Sequence, residues 1–171
     1  TPVSDFPTFT FSQLMNLVIL DLSHLQLQSI PINVFKSNYK LEVLHLNHNF
    51  FSLLHKLTFS WLVNLLSLDL SFTKLLYLPC GLFITNVNLQ VLDLSNTRLK
   101  TLSSCAFAKR MNLISINISS IPGSVSAFPG ITFLSQYPNL TTMYVVHPEI
   151  CCVHPDHVKS CISDHEQRDI F

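Results

Sequence analysis

A repeat of constant length runs through most of this chain and constrains its fold more than any other feature of the sequence. One leucine recurs at an unchanging interval, at Leu17, Leu41, Leu65, Leu89 and Leu113. The positions three and five residues after it are leucine or isoleucine in every copy. A phenylalanine column occupies the later part of the same repeats, at Phe35, Phe59, Phe83 and Phe107. Such a period, of about 24 residues, predicts a solenoid in which each repeat forms one coil and stacks on its neighbours.

A single coil of this kind is not stable alone. Ordering 24 residues costs roughly 24 to 48 kcal/mol of backbone entropy, while burying six large apolar side chains returns about 9 to 18 kcal/mol. Stability must therefore arise between coils, through shared apolar columns and a parallel ladder of x-L-x-L segments. We expect the leucines to face inward and the phenylalanine column to form a continuous spine on the convex side.

The repeats also predict the domain limits. A sixth, partial unit, Leu140-x-x-Met143-x-Val145, begins slightly later than the constant interval requires, which indicates a short insertion before it. The first eleven residues keep the register of the columns, so the chain begins in mid-repeat, and we expect N-terminal repeats and a cap to be missing. We assign residues 1–146 to one truncated leader, five full repeats and one partial repeat. Residues 147–171 are assigned to a Cys-containing C-terminal cap or hinge that leads towards a membrane segment.

The repeated segments resemble the leucine-rich repeat pattern L-x-x-L-x-L-x-x-N-x-L. They read LVILDLSHLQL, LEVLHLNHNFF, LLSLDLSFTKL and LQVLDLSNTRL. This resemblance implies a right-handed βα-type superhelix with short parallel strands on the concave face and an irregular or 3-10 convex side. The family's asparagine column reads Leu25, Asn49, Thr73, Thr97 and Ile121. Because leucine and isoleucine cannot hydrogen-bond the turn backbone, we expect the turns at Leu25 and Ile121 to be looser or differently shaped.

Side chains that alternate with the inward leucines point out along the concave face. The middle outward column reads Asp21, His45, Asp69, Asp93 and Asn117, and the next column reads Ser23, Asn47, Ser71, Ser95 and Ser119. Three of the four acids between Phe11 and Val146 lie in the middle column, and none of the eight bases lies in an outward column. We predict a weakly acidic, serine-rich strip that binds a basic peptide or protein ligand through Asp21, His45, Asp69 and Asp93. Alternatively, the aspartates only follow the family pattern, which many members carry with no basic ligand.

Composition and motifs exclude several functions. Ten Lys+Arg against ten Asp+Glu leave no excess of positive charge for phosphates, so we expect no nucleic-acid partner. The chain has three glycines and no phosphate-binding glycine motif, which argues against a nucleotide enzyme. The aspartates would lie on an open, wet surface with no pocket to shift a pKa. We therefore predict no catalytic residues, no enzyme activity and no cofactor.

The five cysteines fall into two groups. Cys80 and Cys105 lie at nearly equivalent positions of adjacent coils, whose spacing of about 5 Å suits a disulfide, although two separate thiols are the alternative. Cys151, Cys152 and Cys161 follow the last strand, where a cap must cover the apolar end of the stack. Cys152 and Cys161 are candidates for a second disulfide, with the pairing among the three left open. Zinc ligation by this histidine-containing tail is an alternative, but its spacing matches no standard finger, so we predict no metal site.

Two N-x-S/T sequons, at Asn117 and Asn139, are candidate glycosylation sites and indicate a secretory chain. A glycan on Asn117 would block the concave face that we predict to bind the ligand. Either this sequon is unused or the ligand lies further towards the N-terminus.

The C-terminal segment resembles the end of the ectodomain in leucine-rich-repeat G-protein-coupled receptors of the relaxin-receptor type. The match consists of PNLT at residues 138–141 followed by CVHPDHVKSC at residues 152–161. It implies an extracellular receptor fragment whose concave face takes a peptide hormone on Asp21, Asp69 and Asp93, with a seven-helix membrane domain outside this fragment. Asn117 and His45 depart from that acidic pattern. Alternatives are a Toll-like or adhesion-type receptor for a protein or microbial ligand, and an intracellular scaffold with reduced thiols.

Overall fold

The computed structural model describes residues 6–121, 136–145 and 160–163, which form a solenoid with one continuous parallel sheet. The strands are β1 (Ile19–Asp21), β2 (Val43–His45), β3 (Ser67–Asp69), β4 (Val91–Asp93), β5 (Ser115–Asn117), β6 (Thr142–Val145) and β7 (Ser160–Ser163). They follow one another in the sheet in chain order. Within the described ranges the only helix is a 3-10 turn over Ser104–Ala106, on the side away from the sheet. The predicted leucine-rich repeat solenoid, with short parallel strands and an irregular second side, is confirmed.

The strand register reproduces the sequence repeat. Leu20 pairs with Leu44, and the same step along the chain continues to β5. Ile116 of β5 then pairs with Met143 of β6, which is a longer step, as the insertion before the partial sixth repeat predicts. β7 pairs with β6 in parallel and lies inside the range assigned to the cap, so the sheet continues beyond the last recognisable repeat.

The inward leucines and the phenylalanine column form the core. Leu44, Leu68 and Leu92 are buried at the centre of their strands. Neighbouring rings of the spine have centroids 6.1, 6.5, 6.0, 5.4 and 6.4 Å apart, in the order Phe11, Phe35, Phe59, Phe83, Phe107 and Tyr137. The predicted spine is therefore confirmed, and Tyr137 extends it. Burial raises the pKa of Tyr137 to about 12 because it disfavours the phenolate.

Asn49 bridges two coils, as the family pattern implies. Its side-chain oxygen accepts the amide of Leu27 at 2.9 Å, and its nitrogen donates to the carbonyls of Leu22 at 2.8 Å and Leu46 at 2.9 Å. Thr73, one coil later, makes a single bond from its hydroxyl to the carbonyl of Leu70 at 2.8 Å, within its own coil. Threonine thus replaces only the local part of the asparagine contact.

The turn at Leu25 differs from the others, as the missing asparagine predicts. Each turn after β1 to β5 has a residue in the left-handed region, and the first turn adds a second one, Gln26, with φ of 60°. At Ile121 the preceding Ser120 has φ of 52°, like its equivalents in the other coils, and residues 122–135, which follow Ile121, lie outside the described residues.

Sequence reasoning missed a second asparagine column, on the far side of the coils. Asn38 donates to the carbonyls of Phe11 and Leu14, and Asn86 occupies the equivalent position two coils later. Both side chains are buried and tie a coil to the one before it. This column is hard to recognise in the sequence, because asparagine occurs at many other positions of the repeats and occupies this one only in every second coil.

A disulfide joins Cys80 and Cys105, with their Cα atoms 4.7 Å apart, on the side of the solenoid away from the sheet. This is the pairing that the repeat spacing favours, and Cys105 is exposed. Cys151 and Cys152 lie outside the described residues, and only the backbone of Cys161 is described, so the predicted second disulfide stays a prediction.

Candidate functional site

The sheet brings the predicted binding residues into one row across neighbouring strands. Asp21 lies beside His45, which lies beside Asp69, and Asp93 and Asn117 continue the row. Asp21 is exposed, and the other members are partly exposed. We call this row of residues, Asp21 to Asn117, the acidic row.

Each aspartate of the acidic row also closes its own turn. The Oδ1 atoms of Asp21, Asp69 and Asp93 accept the backbone amide two residues later at 2.9, 2.9 and 2.8 Å. Such a bond stabilises a turn locally and explains why aspartate or asparagine recurs here without any ligand. One oxygen of each carboxylate therefore has a structural role.

Hydrogen bonds from Ser23 to the Asp21 carboxylate, helped by the nearby His45 and His24, hold the pKa of Asp21 below its usual value. Desolvation of the carboxylate acts in the opposite direction and does not cancel the effect of the hydrogen bonds on the pKa. Asp21 consequently stays ionised through the neutral and mildly acidic range.

Asp93 differs from the other two aspartates because its second oxygen is also engaged. Asn117 donates to Oδ2 of Asp93 at 3.0 Å. Asn117 in turn accepts the amide of Ser119 at 3.1 Å and its hydroxyl at 2.7 Å. The acidic row is thus internally paired in its last two coils, whereas neither Asp21 nor Asp69 bonds a side chain of the neighbouring coil among the described residues.

The expectation that the following column is an outward serine strip is wrong for three coils. Ser71, Ser95 and Ser119 are only 6%, 4% and 3% exposed. The strands are three residues long and end at the acidic row, so inside–outside alternation stops there. These serines belong to the turns, where their amides face the aspartate and asparagine side chains.

Sequence reasoning also missed a ladder of rings beside the acidic row, formed by His24, His48 and Phe72. The His24 and His48 rings stack with centroids 4.1 Å apart, and the His48 and Phe72 rings stack at 4.3 Å. All three residues are in the left-handed region, with φ of 57°, 55° and 52°. They recur at the repeat interval in consecutive coils, which is the signal that could have identified them. We call these three residues the aromatic ladder.

The sequons fall at different places. Asn117 lies in the acidic row with its amide nitrogen bonded to Asp93, whereas Asn139 is exposed just before β6. Glycosylation of either residue stays a prediction.

Among the residues that the structure describes, no three or more histidine, cysteine or acidic side chains come together in a way that could hold a metal ion. In the same part of the chain, no helix has the length and apolar character that crossing a bilayer requires.

Comparison with known proteins identifies the class of protein to which this chain belongs. Residues 15–75 match the family model described as "Leucine rich repeat", and residues 88–109 match one described as "Leucine Rich Repeat". No curated protein matches the sequence significantly. These matches and the fold make the chain a leucine-rich repeat protein. Leucine-rich repeat domains of this kind are typical of protein-binding receptor ectodomains.

Solved structures agree with this class. The leucine-rich repeat domain of APL1 superposes with a TM-score of 0.76 at 23% identity, over 85% of this chain and 37% of that one. TLR13, solved in complex with ssRNA13, has a TM-score of 0.76 at 26% identity, over 91% of this chain and 23% of its own. The leucine-rich repeat domain of APL1B has a TM-score of 0.69 at 17% identity, over 95% of this chain and 61% of that one. This chain therefore spans less than two thirds of each of these structures.

Proposed function

We propose that this chain is the ligand-binding part of a cell-surface receptor ectodomain and that its concave face binds a polypeptide with basic side chains. The observation that supports the proposal most is the acidic row, where the sheet aligns Asp21, Asp69 and Asp93 on one accessible face. Only one acid, Glu42, lies outside this row between residues 11 and 146, against eight bases. A face of opposite sign to the rest of the solenoid selects a ligand by charge.

The finer proposal is a G-protein-coupled receptor of the relaxin-receptor type, with a peptide or protein hormone as ligand and a seven-helix domain elsewhere in the protein. It rests on the resemblance of residues 138–161. The second candidate is a Toll-like or adhesion-type receptor, and the similarity of fold to TLR13 favours it. Both place the protein on the extracellular side of the plasma membrane, and neither gives it an enzymatic activity.

Binding of a fluorescein-labelled hexa-arginine peptide tests the function of the acidic row. We expect the double change Asp21→Asn and Asp69→Asn to weaken binding about tenfold at low salt and less at high salt, because salt screens exposed charges. Asparagine keeps the oxygen that closes the turn, so the fold should be unaffected.

Glu42→Gln is the matched control for the single change Asp69→Asn, since each removes one negative charge and Glu42 is an exposed residue outside the acidic row. An equal loss of peptide binding in this control, or no loss in the double variant, would overturn the proposal.

Mass spectrometry under non-reducing conditions tests the extracellular location. We expect Cys80 and Cys105 in one disulfide-linked fragment of protein isolated from its natural source. Five free thiols in that sample would contradict an extracellular receptor.

A further inference from the structure

We propose that a basic surface on the segments that follow the left-handed turns binds a sulfated polysaccharide. It consists of Lys74, Arg98 and Lys100, with Phe50 at its edge. We call these four residues the basic flank. The basic flank shares no residue with the acidic row, so binding at one surface does not depend on binding at the other.

Hydrogen bonds between coils hold the segments of the basic flank side by side. The amide of Leu76 donates to the carbonyl of Ser52 at 3.1 Å, and the amide of Lys100 donates to the carbonyl of Leu76 at 3.0 Å. Each bond joins residues one repeat apart, so the segments are in register. Hydrogen-bonded segments of this kind lie about 5 Å apart. Lys74 and Arg98, which occupy the same position of adjacent coils, are therefore direct neighbours.

The three bases of the flank share one surface. Arg98 and Lys100 are exposed, and Lys74 is partly exposed. Leu99, which separates Arg98 from Lys100, is buried, and so is Leu75 next to Lys74. Because buried leucine alternates with outward base, the positive charges of two coils come together on the outside of the solenoid.

The basic flank contains no acidic residue of its own. Its two outward columns read Gln26, Phe50, Lys74 and Arg98, and Gln28, Ser52, Leu76 and Lys100. Three of the four acids between residues 11 and 121 lie in the acidic row, and the fourth, Glu42, lies just before β2. Like charges opposite each other on hydrogen-bonded segments are unfavourable for a fold. The juxtaposition of Lys74 and Arg98 is accordingly explained by a partner that supplies negative charge.

Phe50 orders one of these bases before any ligand binds. The Nζ atom of Lys74 lies 4.3 Å from the ring centroid of Phe50, a cation–π contact between adjacent coils. A lysine side chain that is free in solvent loses rotamer freedom when it pairs with a ligand. At Lys74 part of that loss occurs in the folded protein, which lowers the cost of binding an anion.

The composition of the flank suits a sulfated sugar chain. Sulfate esters supply fixed negative charges for the bases, and sugar hydroxyls match the uncharged side chains of Gln26, Gln28 and Ser52 beside them. The disulfide between Cys80 and Cys105 is typical of the oxidising extracellular space, where sulfated polysaccharides occur.

Single-stranded nucleic acid is a poorer match for the same surface. Its recognition requires open ring faces on which the bases stack. Phe50 is the only aromatic residue of the two columns, and the Lys74 ammonium lies over its ring. Among polyanions the flank therefore favours the polysaccharide.

Calorimetric titration with a heparin dodecasaccharide tests the basic flank. We expect the double change Arg98→Gln and Lys100→Gln to weaken binding about tenfold at low salt. The slope of the logarithm of the affinity against the logarithm of the salt concentration should fall by about 1.5, because two cations no longer displace counterions from the polymer. The free energy of unfolding should stay the same or rise, since two exposed like charges are removed.

Lys109→Gln with Arg110→Gln is the matched control, because it also removes one lysine and one arginine, both exposed, from outside the basic flank. It should change neither the affinity nor the salt dependence. Phe50→Gln installs the residue that the first coil has at this position and should weaken binding about twofold. Combined with Lys74→Gln it should have no further effect, because Phe50 acts through Lys74.

Three results would overturn the assignment. The first is an equal loss of heparin binding in the control, or no loss in the variant of Arg98 and Lys100. The second is binding that survives removal of the sulfate groups from the dodecasaccharide. The third is an oligouridylate of equal charge that binds as tightly as heparin. The variant with Asp21→Asn and Asp69→Asn should not lose affinity for heparin, so each of these results leaves the concave face as the site of the polypeptide ligand.

Discussion

Replacement of Asn49 by threonine tests how much of the stability of the solenoid comes from a single side chain that bridges two coils. Threonine is the residue of the two following coils, so the change is compatible with the repeat. It keeps the local bond to Leu46, as Thr73 keeps the equivalent bond to Leu70, and it removes the bonds to Leu22 and Leu27. Both lost partners belong to buried residues of the preceding coil.

The expected loss follows from those two bonds. A buried amide or carbonyl that loses its partner costs about 1 to 3 kcal/mol, so Asn49→Thr should lower the free energy of unfolding by about 3 kcal/mol. Thr73→Val removes one bond within a coil and should cost about 1 kcal/mol. The difference between the two variants isolates the contribution of the contact between coils.

Equilibrium unfolding in urea, followed by circular dichroism with the disulfide intact, measures both changes. The slope of the free energy of unfolding against urea concentration should be the same in both variants as in the unmodified protein, which would indicate that the same surface is exposed on unfolding. A loss in Asn49→Thr no larger than that in Thr73→Val would refute the argument that Asn49 joins the first two coils.

Three further predictions concern the core, the disulfide and acid stability. Phe59→Ala removes a fully buried ring from the middle of the spine and should cost about 3 to 5 kcal/mol in urea unfolding, whereas the exposed Tyr77→Ala should change stability little. Changing Cys80 and Cys105 to serine opens a loop with a sequence separation of 25 and should cost about 3 kcal/mol, seen as a lower thermal midpoint that reducing agent does not lower further. The pKa of Asp21 is lower in the folded protein than its value near 3.8 in the unfolded chain, so the ionised carboxylate stabilises the fold above about pH 4 and this contribution is lost as the pH falls through the folded pKa. The variant Asp21→Asn should therefore lose less stability than the unmodified protein below about pH 4. An identical loss in both proteins would contradict the lowered pKa.

Part of the candidate site could be read from the sequence. The repeat places Asp21, Asp69 and Asp93 in one column. The strand register brings Asp69 beside Asp93 and leaves His45 between Asp21 and Asp69. The sequence does not reveal that Asn117 donates a hydrogen bond to the second carboxylate oxygen of Asp93, because that bond depends on the side-chain orientations of residues in two different coils. Alternation also extended the strand by two residues too many, which misplaced the buried Ser95 and its equivalents on the surface.

The sequence by itself determined the coil length, the inward columns and the phenylalanine spine, and it favoured the Cys80–Cys105 disulfide that the structure contains. A strict period places equivalent residues one coil apart, so each apolar column in the chain becomes a column in space. Only the tertiary structure decided which polar atoms remain available and which rings stack. Those properties depend on the left-handed turns that follow the strands. There Phe72 adopts a conformation that a bulky residue disfavours, and the neighbouring coil holds it through a hydrogen bond to its amide.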